Sequence, residues 1–213
     1  MRIDVIIPVY KPDQKFNILL KRLSEQTLTP RKVLIANTVG ETDDCDKIKS
    51  RAEKEMGQGI TEIEVFPVKK SEYDHALTRQ KMAEISDADA VLFMTQDAVP
   101  LGQDLLERLS EALENGADAA FARQVANENA DILEKYTRLF NYTGKSYVRT
   151  AEDFKKYGIK TIFCSDTCML YKKDRFEQLG GFREKSIFAE DMTYAYRLLK
   201  AGGSLAYVSE AKV

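Results

Sequence analysis

The stretch Ala90-Val91-Leu92-Phe93-Met94-Thr95-Gln96-Asp97-Ala98-Val99-Pro100 decides how the rest of the chain is read. Five apolar residues run unbroken from Ala90 to Met94, the length and pattern of a strand buried on both faces, as in a parallel sheet. A carboxylate at the carboxyl end of such a strand, Asp97, would stand in the crevice where open α/β sheets bind ligands. It would equally serve as a turn residue ahead of Pro100, because aspartate favours turns through its side-chain hydrogen bonds. This stretch alone leaves both readings open.

Working outward, Ile3 to Val9 is a second apolar run, broken only by Asp4 and closed by Pro8-Val9-Tyr10-Lys11-Pro12, since proline cannot donate to a strand ladder. Phe16, Leu19, Leu20 and Leu23 recur at the spacing of one helix face. Lys32 to Ala36 predicts a short strand leading into a polar segment from Asn37 to Asp44. Cys45 to Met56 predicts a helix ended by Gly57. Ile60 to Val68 predicts an edge-like strand, and His75 to Ile85 a helix. Strand and helix therefore alternate up to Ala90, which implies a parallel, doubly wound sheet with right-handed crossovers. In such a sheet Tyr10, Asn37 and Asp97 emerge at the same edge, although they are far apart in sequence.

Beyond Pro100 the pattern loosens. Leu105, Leu106, Leu109 and Leu113 mark an amphipathic helix, and Ala117 to Ala122 a short strand. Asn127 to Phe140 reads as a helix, while Asn141 to Ile159 has little periodicity. Thr161 to Tyr171 reads as a strand with polar interruptions at Ser165, Asp166 and Thr167. Gly180-Gly181-Phe182 is a turn, a helix runs from about Glu190 to Gly202-Gly203, and Leu205 to Ser209 is a last strand. With no repeat and no Pro/Ser-rich linker, residues 1–213 are expected to form a single domain, with one lobe over about residues 1–100 and another over about 101–213.

Composition narrows the class. The 213 residues are 44% hydrophobic and 31% charged, with a formal net charge of -2. No dense Lys/Arg cluster marks a nucleic-acid footprint, so no nucleic-acid partner is expected. Asp4 sits where a signal peptide would need an apolar core, and no apolar segment approaches the roughly 18 residues of a membrane span. Cys45, Cys164 and Cys168 are odd in number and lack a Cys-x-x-Cys pair, which favours free thiols in a reducing cytosol. Cys164 and Cys168 read as small buried residues on one face of a strand.

Several chemistries drop out. A single histidine, His75, excludes a multi-histidine metal cage, and it reads as a helix-start or surface residue rather than a catalyst. No nucleophile elbow, P-loop or dinucleotide fingerprint is present. Two acidic features remain. Asp97 could hold a hard divalent ion if a substrate diphosphate and water completed the shell. Glu190-Asp191 opens a helix, where acidic residues are favoured by the dipole whatever their function. That position is also expected to keep Asp191 ionised, as a general base requires.

Taken together, Ile6-Ile7-Pro8-Val9-Tyr10, Thr95-Gln96-Asp97-Ala98 and Phe188-Ala189-Glu190-Asp191, with Arg197 and Gly202 following, resemble family-2 glycosyltransferases of the GT-A fold. Asp74-His75-Ala76-Leu77-Thr78-Arg79-Gln80, Ala122-Arg123-Gln124, Phe140-Asn141-Tyr142 and Gly180-Gly181-Phe182, in this order, are similar to a rhamnosyltransferase-like branch of that family. The resemblance spans nearly the whole chain. It implies a Rossmann-like, mostly parallel mixed sheet flanked by helices, with the first lobe binding nucleotide and the second holding acceptor and catalyst. Carried over residue by residue, it implies that Pro8, Val9 and Tyr10 contact the donor base, that Asn37 stands where an aspartate commonly reads the base, and that Arg79 lies near the donor. Thr95-Gln96-Asp97 replaces the usual Asp-x-Asp, so Asp97 is the remaining metal carboxylate, for Mg²⁺ or Mn²⁺. Ser165 and Asp166 would shape the sugar and acceptor pocket, and Asp191 would be the catalytic base with Glu190 in support.

The resemblance also implies a histidine near the metal just after the last strand, about where Val213 ends the sequence. A chain cut short there is expected to have reduced or absent activity relative to a longer parent. The function implied is inverting transfer of a sugar, rhamnose by the resemblance, from a nucleotide-diphosphate donor to a hydroxyl of a glycan or lipid-linked acceptor in surface polysaccharide synthesis. The expected setting is cytoplasmic, with peripheral contact at the inner membrane face left open. Two alternatives stay open: a catalytically silent nucleotide-sugar-binding or scaffold domain, and a sugar-phosphate nucleotidyltransferase. The latter would want glycine in the Tyr10-Lys11-Pro12-Asp13 loop.

Overall fold

The structure, a computed structural model, describes residues 1–39, 45–57, 61–127, 129–186 and 189–213. The polar residues 40–44, Ile60 at the expected start of the third strand, Glu128 and Phe188 lie outside the described residues.

The strands are β1 (Ile3–Val9), β2 (Lys32–Val39), β3 (Glu62–Lys69), β4 (Ala90–Met94), β5 (Ala119–Arg123), β6 (Tyr147–Arg149), β7 (Cys168–Lys172) and β8 (Leu205–Lys212). They form one sheet in the order β3-β2-β1-β4-β7-β5-β8-β6. β1, β2, β3 and β4 are mutually parallel, with Val9 opposite Asn37 and Ile6 opposite Phe93. β4 is buried along its full length, as its unbroken apolar run requires. β3, where polar and apolar residues alternate, lies at the edge.

The helices are α1 (Gln14–Ser24), α2 (Cys45–Met56), α3 (His75–Ile85), α4 (Leu105–Glu114), α5 (Ile132–Asn141), α6 (Phe154–Tyr157), α7 (Lys173–Gln178) and α8 (Glu190–Lys200). Phe16, Leu19, Leu20 and Leu23 of α1 join Leu105, Leu106, Leu109 and Leu113 of α4 on one face of the sheet. On the other face Phe93, Tyr171, Phe176, Phe182 and Tyr194 pack ring against ring at centroid distances of 5.0–6.2 Å, mostly edge to face or tilted, as aromatic quadrupoles prefer.

The second half departs from its sequence reading in one way that matters for the site. The segment read as a strand from Thr161 begins its ladder only at Cys168, after a 3₁₀ helix over Gly158–Ile162 and a turn at Asp166-Thr167. Cys164 and Cys168 are both buried free thiols, but only Cys168 belongs to the strand. β7 runs antiparallel to β4, with Met94 opposite Cys168. This reversal brings Ser165-Asp166-Thr167, just before β7, to the carboxyl end of β4, where the Thr95 N–H donates to the Thr167 carbonyl at 3.1 Å.

Candidate active site

At the carboxyl ends of β1, β2 and β4 lies a cleft of about 440 Å³, walled by Pro8, Val9, Tyr10, Thr38, Lys70, Tyr73, His75, Arg79, Thr95 and Gln96. This is where open parallel sheets place ligands. The cleft floor is tied across strands: the Tyr10 N–H donates to Gln96 Oε1 at 2.8 Å, and Gln96 Nε2 donates back to the Tyr10 carbonyl at 3.3 Å. The Tyr10 ring stays exposed, with the ammonium groups of Lys11 and Lys70 at 5.4 and 5.5 Å from its centroid. Thr38 Oγ1 and the neighbouring Asn37 Oδ1 are buried without a hydrogen-bond partner among the described residues. Buried polar atoms are nearly always paired, so the Thr38 orphan on the cleft wall marks a place where a ligand can bond.

Helix α3 supplies the next layer. Asp74 caps it by accepting from the Leu77 N–H at 2.9 Å, and it also accepts from the Ser186 N–H at 3.3 Å. Gln80 Oε1 accepts from the Phe182 N–H at 2.9 Å. A side chain at Gly181 (φ +53) would place its Cβ 2.0 Å from that same oxygen and 2.9 Å from Phe176, so the turn has room only for glycine. These contacts anchor the segment that leads into α8.

Arg79 is the hinge between the two halves of the site. It lines the cleft, yet it is almost fully buried, and its Nη1 donates to Glu190 Oε1 at 2.8 Å. Its Nε lies 3.9 Å from Asp166 Oδ2, and both atoms lack a hydrogen-bond partner among the described residues. The other Asp166 oxygen accepts from the Tyr171 hydroxyl at 2.7 Å. Asp191 is held by backbone alone: Oδ2 accepts from the Asp166 N–H at 3.1 Å and Oδ1 from the Met192 N–H at 2.7 Å. Two carboxyl groups, Glu190 and Asp166, thus face one guanidinium, with Asp191 bonded to the Asp166 backbone beside them. Burial pushes the Asp166 carboxyl well above the usual carboxylate range, against the pull of Arg79. Burial also raises the Asp191 carboxyl, despite its two backbone donors. The helix-start position was expected to keep Asp191 ionised; burial works against that preference and makes the group a stronger base once deprotonated.

Backbone strain falls at the same place. Lys11 (φ 47) and Ala189 (φ 66) are the described non-glycine residues in the left-handed region; one follows Tyr10 and the other precedes Glu190. Each costs about 1–3 kcal/mol, and such strain collects at functional sites.

Family comparison decides the class. The model for glycosyl transferase family 2 matches residues 4–180. The chain belongs to glycosyl transferase family 2. The match covers the cleft wall and Asp166 but stops short of Glu190 and Asp191. The O-antigen chain rhamnosyltransferase RfbN of Salmonella typhimurium is 33% identical over 215 residues, covering 100% of this chain and 66% of its own length. The chain therefore spans just under two thirds of that relative. Among solved structures, Staphylococcus aureus TarS 1-349 in complex with UDP-GlcNAc superposes with a TM-score of 0.74 at 15% identity, over 99% of this chain and 56% of TarS 1-349. Mannosyltransferase PcManGT from Pyrobaculum calidifontis, in complex with GDP-Man and Mn²⁺, gives 0.69 at 16%, over 99% and 55%. These two likenesses show the GT-A fold of this family-2 chain, in agreement with its one mixed sheet.

Of the residues singled out in the sequence, Pro8, Val9, Tyr10, Arg79, Thr95 and Gln96 meet on the cleft wall, and Ser165, Asp166, Glu190 and Asp191 meet behind it. Asn37 is fully buried and is not among the described wall residues; Thr38 is, because adjacent strand residues face opposite ways. Asp97 stands exposed in the turn after β4. Thr38, Lys70, Tyr73 and His75 were missed. The β3–α3 connection that carries Lys70 and Tyr73 shows no periodicity, and His75 opens α3 behind the Asp74 cap, the one local signal that could have located the turn.

The fold family implies a divalent ion, and the donor set fits one held jointly with substrate. Among the described residues no three His, Cys, Asp or Glu side chains are arranged so that they could hold a metal ion by themselves. Gln96 Oε1 is already engaged by the Tyr10 N–H. Asp97 offers one exposed hard carboxylate, which matches Mg²⁺ or Mn²⁺ sharing diphosphate oxygens and water rather than a closed protein cage.

Proposed function

We propose that this chain carries the donor site and general base of an inverting glycosyltransferase that moves a sugar from a nucleotide diphosphate to a hydroxyl acceptor in surface polysaccharide synthesis. The observation that carries this reading is Arg79, a wall residue of the cleft whose guanidinium is ion-paired to Glu190, the neighbour of Asp191. A single side chain therefore joins the place for the nucleotide to the place for proton removal. The likeness to RfbN, an O-antigen chain rhamnosyltransferase, supports rhamnose as the sugar and a glycan as the acceptor.

In this mechanism the donor base lies on the exposed Tyr10 ring and bonds the orphaned Thr38 Oγ1, with Asn37 behind it. Pro8 and Val9 shape the floor, and Lys70 and Lys11 face the phosphates. Asp97 would hold the divalent ion, with Thr95 and Gln96 beside it; the ion would offset charge on the departing diphosphate. Ser165 and Asp166 border the acceptor. Asp191 takes the hydroxyl proton as the acceptor oxygen attacks the anomeric carbon from the face opposite the leaving group. Glu190 and Arg79 keep Asp191 in register.

A thermal-shift screen of UDP-, dTDP- and GDP-sugars with Mn²⁺ tests the donor half. A cognate donor at 100 times its Kd should stabilise the fold by about 2.7 kcal/mol. Asp97→Ala should remove the Mn²⁺ dependence of that shift. No shift with any donor, together with no donor hydrolysis to free nucleotide, would overturn the reading.

A further inference from the structure

Helix α5 is built the wrong way round for a helix of a folded core. Ile132, Leu133, Tyr136, Leu139 and Phe140 fall on one stripe roughly 120° wide, the width normally turned inward. Here they face out: Ile132 is 87% exposed, Leu133 73%, Leu139 69%, and no residue of the helix is buried. The edge turned toward the protein is instead polar. Glu134, Arg138 and Asn141, spaced i, i+4, i+7, are its half-covered residues, and Arg138 donates to Gln124 beyond the end of β5. The inversion is therefore anchored by a specific contact.

The surroundings are basic. Lys160 places its ammonium 4.1 Å from the Phe140 ring centroid, which joins the exposed Ile159 to the stripe. Lys155 and Lys156 are exposed on the neighbouring α6. Residues 131–160 hold seven Lys and Arg against four Asp and Glu, an excess of three positive charges in a chain whose net charge is -2. Two copies meeting stripe to stripe would press these cations together.

We propose that α5 is an interfacial anchor, laying its apolar stripe into the headgroup region of an anionic lipid bilayer while the surrounding lysines meet the lipid phosphates. An apolar face with aromatic residues and a cationic border is the chemistry that binds such a surface, and the long lysine side chains reach the charged layer from the side. No described helix is long and apolar enough to cross a membrane, so this contact lies on the bilayer rather than through it. The helix is also joined to the site through packing. Tyr142, one residue past α5, is buried and meets the Phe163 ring edge-on at a centroid distance of 5.5 Å, two residues before Ser165. Docking α5 would therefore set the Ser165 side of the site near the lipid. This deepens the reading above only in saying where a lipid-borne acceptor would be met; the docking itself does not rest on transfer.

The chain has no tryptophan, so Tyr136→Trp places a single reporter on the stripe. With vesicles of phosphatidylcholine containing phosphatidylglycerol, and no nucleotide sugar present, its emission should shift to the blue and the protein should float with the lipid. Leu133→Glu with Leu139→Glu should lower the bound fraction about tenfold or more, and Lys155→Glu with Lys156→Glu should lower binding to the anionic vesicles, both at unchanged melting temperature because the residues are exposed. Failure of the otherwise unaltered protein to float would overturn the proposal. So would equal binding to pure phosphatidylcholine, or a dimer in sedimentation that Leu133→Glu with Leu139→Glu disperses. Because no donor is present, these outcomes are separate from those of the transferase reading.

Discussion

Two buried aspartates, one at each end of the sheet, stand beside an arginine and are treated oppositely. At the amino end of β1, Asp4 is fully buried. Arg31 donates to both of its oxygens, at 2.9 and 2.6 Å, and the Ser86 hydroxyl adds a bond at 2.6 Å. At the carboxyl end, Asp166 is equally buried, but Arg79 gives its Nη1 to Glu190 and leaves its Nε 3.9 Å away from an unpaired Asp166 oxygen. A buried charge is tolerable only when paired and hydrogen-bonded. Asp4 meets that condition and serves the fold. Asp166 does not, and the carboxyl is pushed upward as a result. The difference separates a structural end of the molecule from one kept unsaturated for chemistry.

Removing each carboxylate in turn should break or sharpen that contrast. Asp4→Ala takes the acceptor from the buried Ser86 hydroxyl and from two Arg31 N–H groups, leaving Arg31 paired with Asp87 alone, and should lower stability in urea unfolding by about 2–4 kcal/mol, while leaving the rate per folded molecule unchanged. Asp166→Asn should cost no more than about 1 kcal/mol at neutral pH, because the bond from Tyr171 survives and no satisfied ion pair is lost. A loss equal to that of Asp4→Ala would erase the distinction. The pH dependence gives a finer test. A carboxyl raised in the folded state disfavours folding as pH climbs above about 4, where the unfolded group ionises. Protein carrying Asp166 should therefore gain stability on acidification from pH 7 toward 5, and Asp166→Asn should show less of that gain.

Much of the nucleotide half was legible because its signals are local. β1 and β4 declare themselves by apolar runs, α3 by its Asp74 cap, and the order of strands and helices implies the edge at which Tyr10 and Gln96 meet. The second half was less readable. The direction of β7 leaves no trace in periodicity, α7 follows it without a break, and the interruption at Ser165-Asp166-Thr167 reads as noise until β7 is seen to deliver it beside Asp191. Helix α5 makes the same point: its apolar residues predict a stripe, and only the position of Arg138 shows that the stripe faces out. The Arg79–Glu190 pair, 111 residues apart, has no sequence signal beyond the types of its members.

The central claim is that Asp191 removes the acceptor proton. The most direct measurement is single-turnover sugar transfer by Asp191→Asn beside the otherwise unaltered protein, with donor affinity followed by calorimetry in the same Mn²⁺ buffer. Asparagine keeps the shape and can still accept at its oxygen, but it cannot take the proton. The chemical step should slow by roughly 10²-fold or more while donor affinity holds. Transfer at an unaltered rate would contradict the account and return Asp191 to the role of a helix-start residue.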